Sequence, residues 1–441
     1  MRIAVVTQYY PPEPVPIPAD VARGLAERGH DVRVLTGYPS YPAGRLAPGY
    51  RQRLRGRERE RDGGVEVRRV PLVISHSLSA VGRLLSYASF AASSLAAGRF
   101  VRAADVVYVY ATPMTAAIGP GWWSRTRGTP FVLHVQDLWP ESVTGSSMLR
   151  GRALSRAVAA VLAPWLGWTY RSAAASIAVG PGMARLLVER GAPAERVVTV
   201  LNWSAAAWPA EAEPDPAGGR LDEPAGGRTG LHLVYAGNVG DAQDLETVVR
   251  AAALVRDLDG FRVSVVGSGV AEGRIHDLVR GLKATNVVLA GRVPRDLMHP
   301  IHRSADFELV PLKDLPIFRV TIPSKLQESL ALGIPVITTV AGDVADLVTR
   351  EGLGLASAPG DPVRLAEAFR AAYALPPAER RAMGARASAY SRAAMSRVAA
   401  LDAIERVVTS AAGPGPWKTG PDSDSRTGRR RGRPRGRLED R

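Results

Sequence analysis

The chain of 441 residues is long enough for two domains, because single hydrophobic cores usually stop growing below this size. Apolar residues make up 46% of the sequence, charged residues 22% and cysteine none, which excludes a disordered or fibrous protein, disulfides, thiolate metal sites and cysteine nucleophiles. The net charge of +15 predicts an anionic partner, whether lipid headgroups, nucleic acid or a phosphate-bearing substrate.

The N-terminal residues 1–7 form an apolar run of strand length and lack the features of a signal peptide. No apolar run of about 18 residues, the length needed to span a bilayer, occurs later in the sequence. We therefore expect a cytoplasmic protein that is soluble or peripherally bound to a membrane.

Strand-like runs alternate with amphipathic stretches of helical length through the first half of the chain. A helix is predicted over Ala19–Arg28, and Gly29 beyond it is typical of a helix C-terminus. Alternation of this kind predicts parallel strands with crossover helices, and so a Rossmann-like first domain over residues 1–207. The predicted strands are Ile3–Thr7, Val32–Thr36, Val106–Tyr110 and Phe131–Val135.

Two stretches, Leu84–Leu95 and Ala157–Tyr170, are rich in apolar residues and have arginine at their edges. Packing in the core or between domains is the favoured interpretation, because apolar periodicity most often marks a buried face. The alternative is a pair of interfacial helices on an anionic bilayer, with the basic segment Arg51–Arg61 beside them.

Residues 208–230 have the Pro, Gly and acidic composition of a linker. The alternation then restarts and predicts a second α/β domain over residues 231–375. Terminal helices over residues 376–411 are expected to pack back on the first domain. The predicted elements are strands Leu231–Tyr235, Phe261–Val266, Asn286–Leu289, Phe307–Val310 and Ile334–Thr338, and helices Leu245–Val255, Arg364–Tyr373 and Ala385–Val408.

The C-terminal residues 412–441 combine Gly and Pro with a group of seven arginines between positions 426 and 437, and this composition predicts disorder. A contact with anionic lipid and a solvated tail without a partner are equally good interpretations. Because aromatic residues are not interleaved with the arginines, nucleic-acid binding is not expected. The arginines are Arg426, Arg429, Arg430, Arg431, Arg433, Arg435 and Arg437.

Two glycine-containing turns follow neighbouring strands of the second domain, at Tyr235–Gly240 and Val265–Gly269. Backbone N–H groups and the positive end of a following helix can bind phosphate there, and open α/β sheets bind ligands at this edge. One such turn is a weak signal, and a purely structural role is as good an explanation. Together the two turns indicate a nucleotide site.

The segment Ile322–Ile337 gives the sharpest signal. Pro323 and Ser324 are suited to begin a short helix, which places Lys325 in its first turn and Glu328 one turn later. Lys325 suits a diphosphate oxygen, and Glu328 can accept hydrogen bonds from two ribose hydroxyls. A surface ion pair of little energetic importance is the alternative.

This segment resembles the donor-binding stretch of family 4 retaining glycosyltransferases. The resemblance extends to about Val408 and is nearest to the colanic-acid and O-antigen polysaccharide subgroup. It implies a GT-B fold, in which two Rossmann-like domains face a central cleft, and transfer of a sugar with retention. The supporting motifs, in the family's order, are Tyr9–Glu13, Tyr38–Gly44, Gln136–Ser142 and Tyr235–Gln243.

The resemblance implies roles for individual residues. Asp137 is similar to an acidic residue of the cleft near the acceptor and the transferred sugar, and with Lys325 and Glu328 it forms the expected catalytic set. The resemblance also implies a set that binds the donor around its phosphates, ribose and base: Gly237, Asn238, Gln243, Gly267, Gly269, Arg292, Val293, Ser324, Lys325, Leu326 and Glu328.

Four positions depart from the family's pattern. Val320 stands where a second glutamate is expected, and Gln136 where a histidine often precedes the acid. The first loop, usually glycine-rich, is Val15–Pro18, and its prolines lack N–H donors for phosphate. Asn238 replaces the usual arginine. Apart from Asn238, these departures support a donor-binding partner without turnover as an alternative to a transferase.

Lys325 and helix N-termini can stabilise a departing nucleotide diphosphate, and neither a convincing Asp-x-Asp metal motif nor a histidine cluster is present. We therefore expect a metal-independent enzyme without a cofactor. The resemblance implies a UDP-sugar donor and a polyprenyl-linked or glycan acceptor at the inner face of the plasma membrane. A nucleotide-sugar epimerase is a further alternative, although Asp137 and Glu141 form no evident proton-abstracting set.

Overall fold

The structure is a computed structural model, and it describes residues 1–53, 59–74, 80–141, 152–204, 230–294 and 297–413. Several sequence predictions fall outside these residues. They are the linker except Gly230, the seven tail arginines and the centre of the Arg51–Arg61 segment.

The first domain is built on an eight-stranded sheet with the order β3-β4-β2-β1-β5-β6-β7-β8. All neighbouring strands are parallel except β3 and β4. The central strands β1, β5 and β6 are almost entirely buried, because helices cover both faces of a parallel sheet. The strands are Arg2–Thr7 (β1), Asp31–Gly37 (β2), Arg59–Asp62 (β3), Val65–Val70 (β4), Val106–Ala111 (β5), Phe131–Val135 (β6), Ala175–Ala178 (β7) and Val197–Thr199 (β8).

Among the described residues up to 204, five helices cover this sheet. They are Ile17–Glu27 (α1), Ala80–Ala96 (α2), Ile118–Arg127 (α3), Arg152–Ser172 (α4) and Pro181–Glu189 (α5). Phe90 of α2 and Tyr170 of α4 are fully buried in one core cluster, so both apolar stretches contribute to the core. Each also has an exposed apolar residue, with Leu85 at 53% and Val161 at 77% exposure. No helix of the described ranges is both long enough and apolar enough to cross a bilayer.

The second domain has a six-stranded parallel sheet with the order β11-β10-β9-β12-β13-β14. Its strands are Leu231–Ala236 (β9), Phe261–Val266 (β10), Val287–Gly291 (β11), Phe307–Val310 (β12), Val336–Thr338 (β13) and Gly354–Ala356 (β14). Its helices are Leu245–Ala253 (α6), Glu272–Gly281 (α7), Met298–Arg303 (α8), Ser324–Ala331 (α9), Asp343–Arg350 (α10) and Pro362–Ala374 (α11). Two parallel-dominated sheets confirm the predicted fold class of two Rossmann-like domains.

The C-terminal part of the described chain forms two helices, Pro377–Ala394 (α12) and Arg397–Ala412 (α13). The predicted single helix Ala385–Val408 is therefore wrong. Ser396 interrupts it, because its side chain accepts a hydrogen bond from the Ala399 N–H and caps α13.

These two helices contact different domains. In α12, Gly384 lies so close to Gly333 that a Cβ would overlap the Gly333 carbonyl oxygen, so this helix packs on the second domain. In α13, Leu401 packs on Gly24 of α1, and Arg28 forms an ion pair of 2.6 Å with Asp402. The second helix therefore returns the chain to the first domain.

Candidate active site

The carboxyl edges of the two sheets meet at a contact between the domains. Gly182, in the first turn of α5 after β7, donates its backbone N–H to Asp343 Oδ2 at 2.6 Å. Asp343 begins α10, which follows β13. A Cβ at position 182 would lie 2.7 Å from Val320 Cγ1, so the approach requires glycine. Because open α/β sheets bind ligands at this edge, the cleft beside the contact is the candidate site.

The two glycine turns of the second domain are interlocked. The Gly237 N–H donates to Val266 O at 2.8 Å, and a Cβ on Gly267 would overlap Gly237 O. Both glycines have positive φ, 141° and 138°, which residues with a side chain rarely adopt. A Cβ on Gly269 would likewise overlap Val239 O. The glycines are therefore required for close packing of the turns, and they leave the backbone accessible to a phosphate group.

Lys325 lies directly against the first of these turns. A Cβ on Gly237 would overlap the Lys325 Nζ, which is also 5.1 Å from the centre of the Tyr235 ring. Burial lowers the pKa of Lys325, while the charges of Glu328 and Glu308 oppose that shift. The structure thus brings a lysine from α9 to the glycine turn after β9, as a diphosphate site requires.

Other residues of the predicted donor set occupy the same edge. The Asn238 side chain donates to Gln243 Oε1 at 3.4 Å, and Arg292 Nε donates to Ser268 Oγ at 3.3 Å. Ser324 is exposed at the start of α9. The first contact lies within the loop after β9, and the second connects the loops after β10 and β11.

Two of the predicted donor residues direct apolar side chains into the core. Leu326 is fully buried and packs with Leu330 and Val336, so it offers only backbone atoms to a ligand. Val293 packs on the small cluster of Val234 and Val266. The predicted contribution of Leu326 to donor binding is therefore limited to its backbone, because α9 presents one face to the cleft and buries the other.

A buried polar network beneath Glu328 was missed by the sequence analysis. His302 of α8 and Glu308 of β12 are 3% and 4% exposed, and His302 Nδ1 is hydrogen-bonded to Glu308 Oε1. Ser329 Oγ lies 2.5 Å from Glu308 Oε2 and 2.8 Å from Lys325 O. His302 Nε2 is 3.9 Å from Glu328 Oε1. The available sequence signal was a glutamate within a short run predicted to be a buried strand, where a charge needs a partner.

The net effect of these contacts raises the pKa of His302. Burial lowers this pKa, but the hydrogen bond and charge of Glu308, with the charge of Glu328, outweigh burial and the repulsion from Lys325. His302 therefore keeps its positive charge at pH values where a free histidine loses it. The charge is lost only as pH rises through the raised pKa.

We expect His302→Gln to weaken nucleotide diphosphate binding by roughly two- to fivefold at neutral pH, the size of a partly exposed ion pair of about 0.5–1 kcal/mol. Wild-type affinity should fall as the pH rises through the raised pKa, and the variant should lack that dependence. Titration calorimetry at several pH values measures both effects. His276→Gln, an exposed histidine of α7, is the control, and equal loss in both variants would contradict the role of His302.

On the first domain, Asp137 follows β6 at the carboxyl edge. Protein surrounds it on several sides, although the side chain stays open to solvent in the cleft. Burial raises the pKa of Asp137 to about 6, because fewer water molecules stabilise the ionised carboxylate. Neighbouring Gln136 accepts a hydrogen bond of 2.8 Å from Asn202 Nδ2, so it links the loop after β6 to the loop after β8. Asp137 is therefore the cleft residue on this side whose proton affinity is tuned near neutral pH.

Glu141 is held in an ion pair with Arg190. Its carboxylate forms hydrogen bonds of 2.5 and 3.0 Å with Arg190, which also donates to Trp139 O at 2.6 Å. This pairing leaves Asp137 without a second free carboxylate from the same motif. It offers no support to the proton-abstracting pair that an epimerase needs.

Two family motifs of the first domain are joined by Glu13. Its carboxylate accepts backbone hydrogen bonds from Tyr10 at 3.0 Å, Ser40 at 2.9 Å and Tyr41 at 2.8 Å. Tyr41 is 51% exposed, and its ring centre lies 5.3 Å from that of Tyr9. The motifs after β1 and β2 therefore form one aromatic surface at the carboxyl edge of the sheet.

The structure gives two of the departures from the family's pattern a structural context. Pro16 and Pro18 lie at the N-terminal cap and first turn of α1, where a missing N–H costs little. Val320 packs against Gly182 and the core of the first domain. It therefore contributes an apolar part to the contact between the domains.

The described residues contain no group of three or more His, Asp or Glu side chains arranged as metal ligands. Metal independence nevertheless stays a prediction, since a metal bound partly by substrate phosphates needs few protein ligands.

The chain has two α/β domains, each built on a mainly parallel sheet, that face each other at their carboxyl edges. One domain carries the basic glycine-turn site and the other carries the acid. This arrangement is the GT-B architecture. Solved structures share this fold. The chain matches HepE from Anabaena in complex with UDP-glucose with a TM-score of 0.63 at 13% identity, covering 93% of this chain and 100% of that chain. It matches sucrose-phosphate synthase from Thermosynechococcus elongatus with a TM-score of 0.64 at 15% identity, covering 92% and 98%.

Sequence comparisons give the family. The model of the glycosyl transferase 4-like domain matches residues 16–203, and that of glycosyl transferases group 1 matches residues 230–374. The putative colanic acid biosynthesis glycosyl transferase WcaI of Escherichia coli strain K12 is 29% identical over 342 residues, which is 76% of this chain and 82% of the relative. The chain belongs to glycosyltransferase family 4 and is a glycosyltransferase with the GT-B fold.

Proposed function

We propose that this glycosyltransferase moves a sugar from a UDP-sugar to a lipid-linked or glycan acceptor in the biosynthesis of a cell-surface polysaccharide, with retention and without a metal ion. The donor assignment rests on the position of Lys325, which lies against the Gly237 turn with Glu328 one helical turn away. UDP as the carrier is supported by the HepE complexes with UDP and UDP-glucose. The polysaccharide assignment is supported by the name of WcaI.

In the proposed reaction, Lys325 and the N-terminus of α9 stabilise the negative charge of the departing UDP, as a preorganised positive site does. Glu328 holds the ribose through hydrogen bonds. Asp137 lies across the cleft and accepts a hydrogen bond from the acceptor hydroxyl. This hydroxyl attacks the sugar on the face from which UDP departs, so the configuration is retained, and Asp137 takes up its proton as the bond to UDP breaks and the new glycosidic bond forms. Retention rests on the family resemblance alone.

We expect UDP to stabilise the wild-type protein selectively among UDP, GDP, ADP and dTDP, equally with magnesium and with EDTA. Lys325→Ala should weaken UDP binding by roughly tenfold to roughly 100-fold, since it removes a charged contact of about 1.5–3 kcal/mol. A thermal-shift panel followed by calorimetry measures this. The control is Lys283→Asn, which should bind UDP like the wild type. Lys283 is exposed and has a φ of 48°, a conformation that asparagine tolerates.

A response to another nucleotide would reassign the donor, and an absolute need for magnesium would contradict metal independence. A protein that binds UDP-sugar without releasing UDP in the presence of acceptor extracts would instead be a donor-binding partner. Conversion of the sugar into its epimer would favour the epimerase alternative.

We further propose that the protein acts at the inner face of the plasma membrane as a peripheral protein. The net charge of +15 and the exposed apolar side chains Leu85, Val161 and Trp122 support this location. Co-sedimentation with phosphatidylglycerol vesicles, but not with phosphatidylcholine vesicles, is the expected result. Binding should weaken with salt and in the variant Leu85→Ser/Val161→Ser. Equal sedimentation with both lipids or with neither would contradict the proposal.

A further inference from the structure

A cavity of about 590 Å³ lies in the second domain at the edge opposite the candidate active site. Its lining includes Gly230, Asp306 and Pro335, which directly precede β9, β12 and β13, respectively. Because these strands are parallel, their amino ends are remote from the donor-binding turns at their carboxyl ends. The cavity is therefore a separate site.

Among the described residues, three guanidinium groups and one carboxylate line this cavity: Arg303, Arg380, Arg381 and Asp306. The carboxylate is partly engaged elsewhere, because Asp306 Oδ2 accepts the His232 N–H at 2.8 Å. The cavity therefore carries an excess of positive charge.

Arg380 is the central cation of this group. Its side chain is only 14% exposed, yet its contacts are long, at 3.5 Å to Asp306 Oδ1 and 3.5 Å to Gly230 O. Its Nε is buried and has no hydrogen-bond partner among the described residues. A buried donor without a partner is costly, and a bound anion would remove that cost.

The wall that carries Arg380 is well packed. Helix α12 begins at Pro377 beside the cavity and meets the loop before β13 where Gly384 packs on Gly333. Leu332 and Ile334 of that loop add an apolar part to the lining. The amino end of α12 also contributes the positive end of its dipole. The cavity thus combines fixed positive charge with an apolar surface.

We propose that this cavity binds a small molecule that bears a phosphate group, at a site separate from the UDP-sugar site. Guanidinium groups bind phosphate through paired hydrogen bonds, and Arg380 has N–H groups to offer. The volume lies in the range of small-molecule sites and exceeds that of phosphate alone, so it has room for a sugar attached to the phosphate. The site does not depend on the proposed donor or acceptor.

The test is calorimetric titration of the full chain with inorganic phosphate and with glucose 1-phosphate, after saturation with UDP to occupy the donor site. Saturable binding of both is expected, with tighter binding of the sugar phosphate. Arg380→Gln should weaken it by about tenfold or more. Arg381→Gln, at an exposed position, should also weaken it. Arg386→Gln is the control on the same helix, since Arg386 donates to Gly352 O outside the cavity.

No saturable binding, or equal weakening in the Arg386 control, would overturn the proposal. The residues 205–229 that precede Gly230 include five acids, and neutralising them tests a second source of negative charge: Glu211, Glu213, Asp215, Asp222 and Glu223. Phosphate binding that appears only after their neutralisation would also overturn the proposal, because the arginines of the cavity would then form ion pairs with the chain's own carboxylates. The initial UDP titration reports separately on the proposed function.

Discussion

Glu328→Ala is expected to abolish most of the affinity for the nucleotide donor. The substitution removes the carboxylate proposed to accept hydrogen bonds from two ribose hydroxyls, together about 2–4 kcal/mol, which corresponds to a roughly 30-fold to roughly 1,000-fold weaker complex. The Glu328 side chain is 37% exposed, so its removal should leave the melting temperature of the free protein nearly unchanged. Calorimetry with UDP and a thermal melt without ligand measure the two effects.

A surface glutamate of the same domain provides the control. Glu367 lies on α11 and forms an exposed ion pair of 3.1 Å with Arg364, so Glu367→Ala should bind UDP like the wild type. Unchanged UDP affinity in Glu328→Ala would remove Glu328 from the donor site. A large drop in its melting temperature would point to a structural role.

Asp137→Asn is expected to lower kcat by about 10²- to 10⁴-fold while leaving UDP binding intact, because it removes the group proposed to take up the acceptor's proton. Asparagine has nearly the same shape, so the fold should be preserved. The measurement is the release of UDP from UDP-sugar with acceptor present, together with UDP affinity. Asp31→Asn, at the opposite end of its sheet, is the control and should be fully active.

The pH profile gives a second test of Asp137. Since its pKa is raised to about 6, the carboxylate takes up a proton at higher pH than a free aspartate. Wild-type kcat/KM should therefore fall tenfold per pH unit well below pH 6, as expected for a single base, and the residual activity of Asp137→Asn should lack this acid limb. An identical limb in both proteins would assign the titration to another group.

The proposed donor site illustrates what local sequence can predict. The glycine turns at Gly237 and Gly267 were recognisable because positive φ and close backbone approach favour glycine after a strand. Lys325 and Glu328 were recognisable because three residues place them on one helical face. The helix ends were less predictable, as Ser396 shows: a cap within a continuous helical pattern divided the predicted helix Ala385–Val408 into α12 and α13.

Contacts between distant parts of the chain required the structure. His302 and Glu308 lie on different elements and meet Glu328 only when α8, β12 and α9 pack together. Leu326 was assigned to the donor site, although α9 buries that face in the core. Spacing along one helix identifies neighbours on its surface, but it does not say which face meets a ligand.

The sequence by itself determined the alternation of strands and helices, the division into two α/β domains, the glycine turns and the Lys325–Glu328 pair, because backbone sterics and side-chain periodicity act over a few residues. Only the tertiary structure decided the contact of Gly182 with Asp343, the return of α13 to the first domain and the basic cavity around Arg380. Each of these joins residues far apart in the chain. Their proximity depends on how whole elements pack, and sequence spacing carries no record of it.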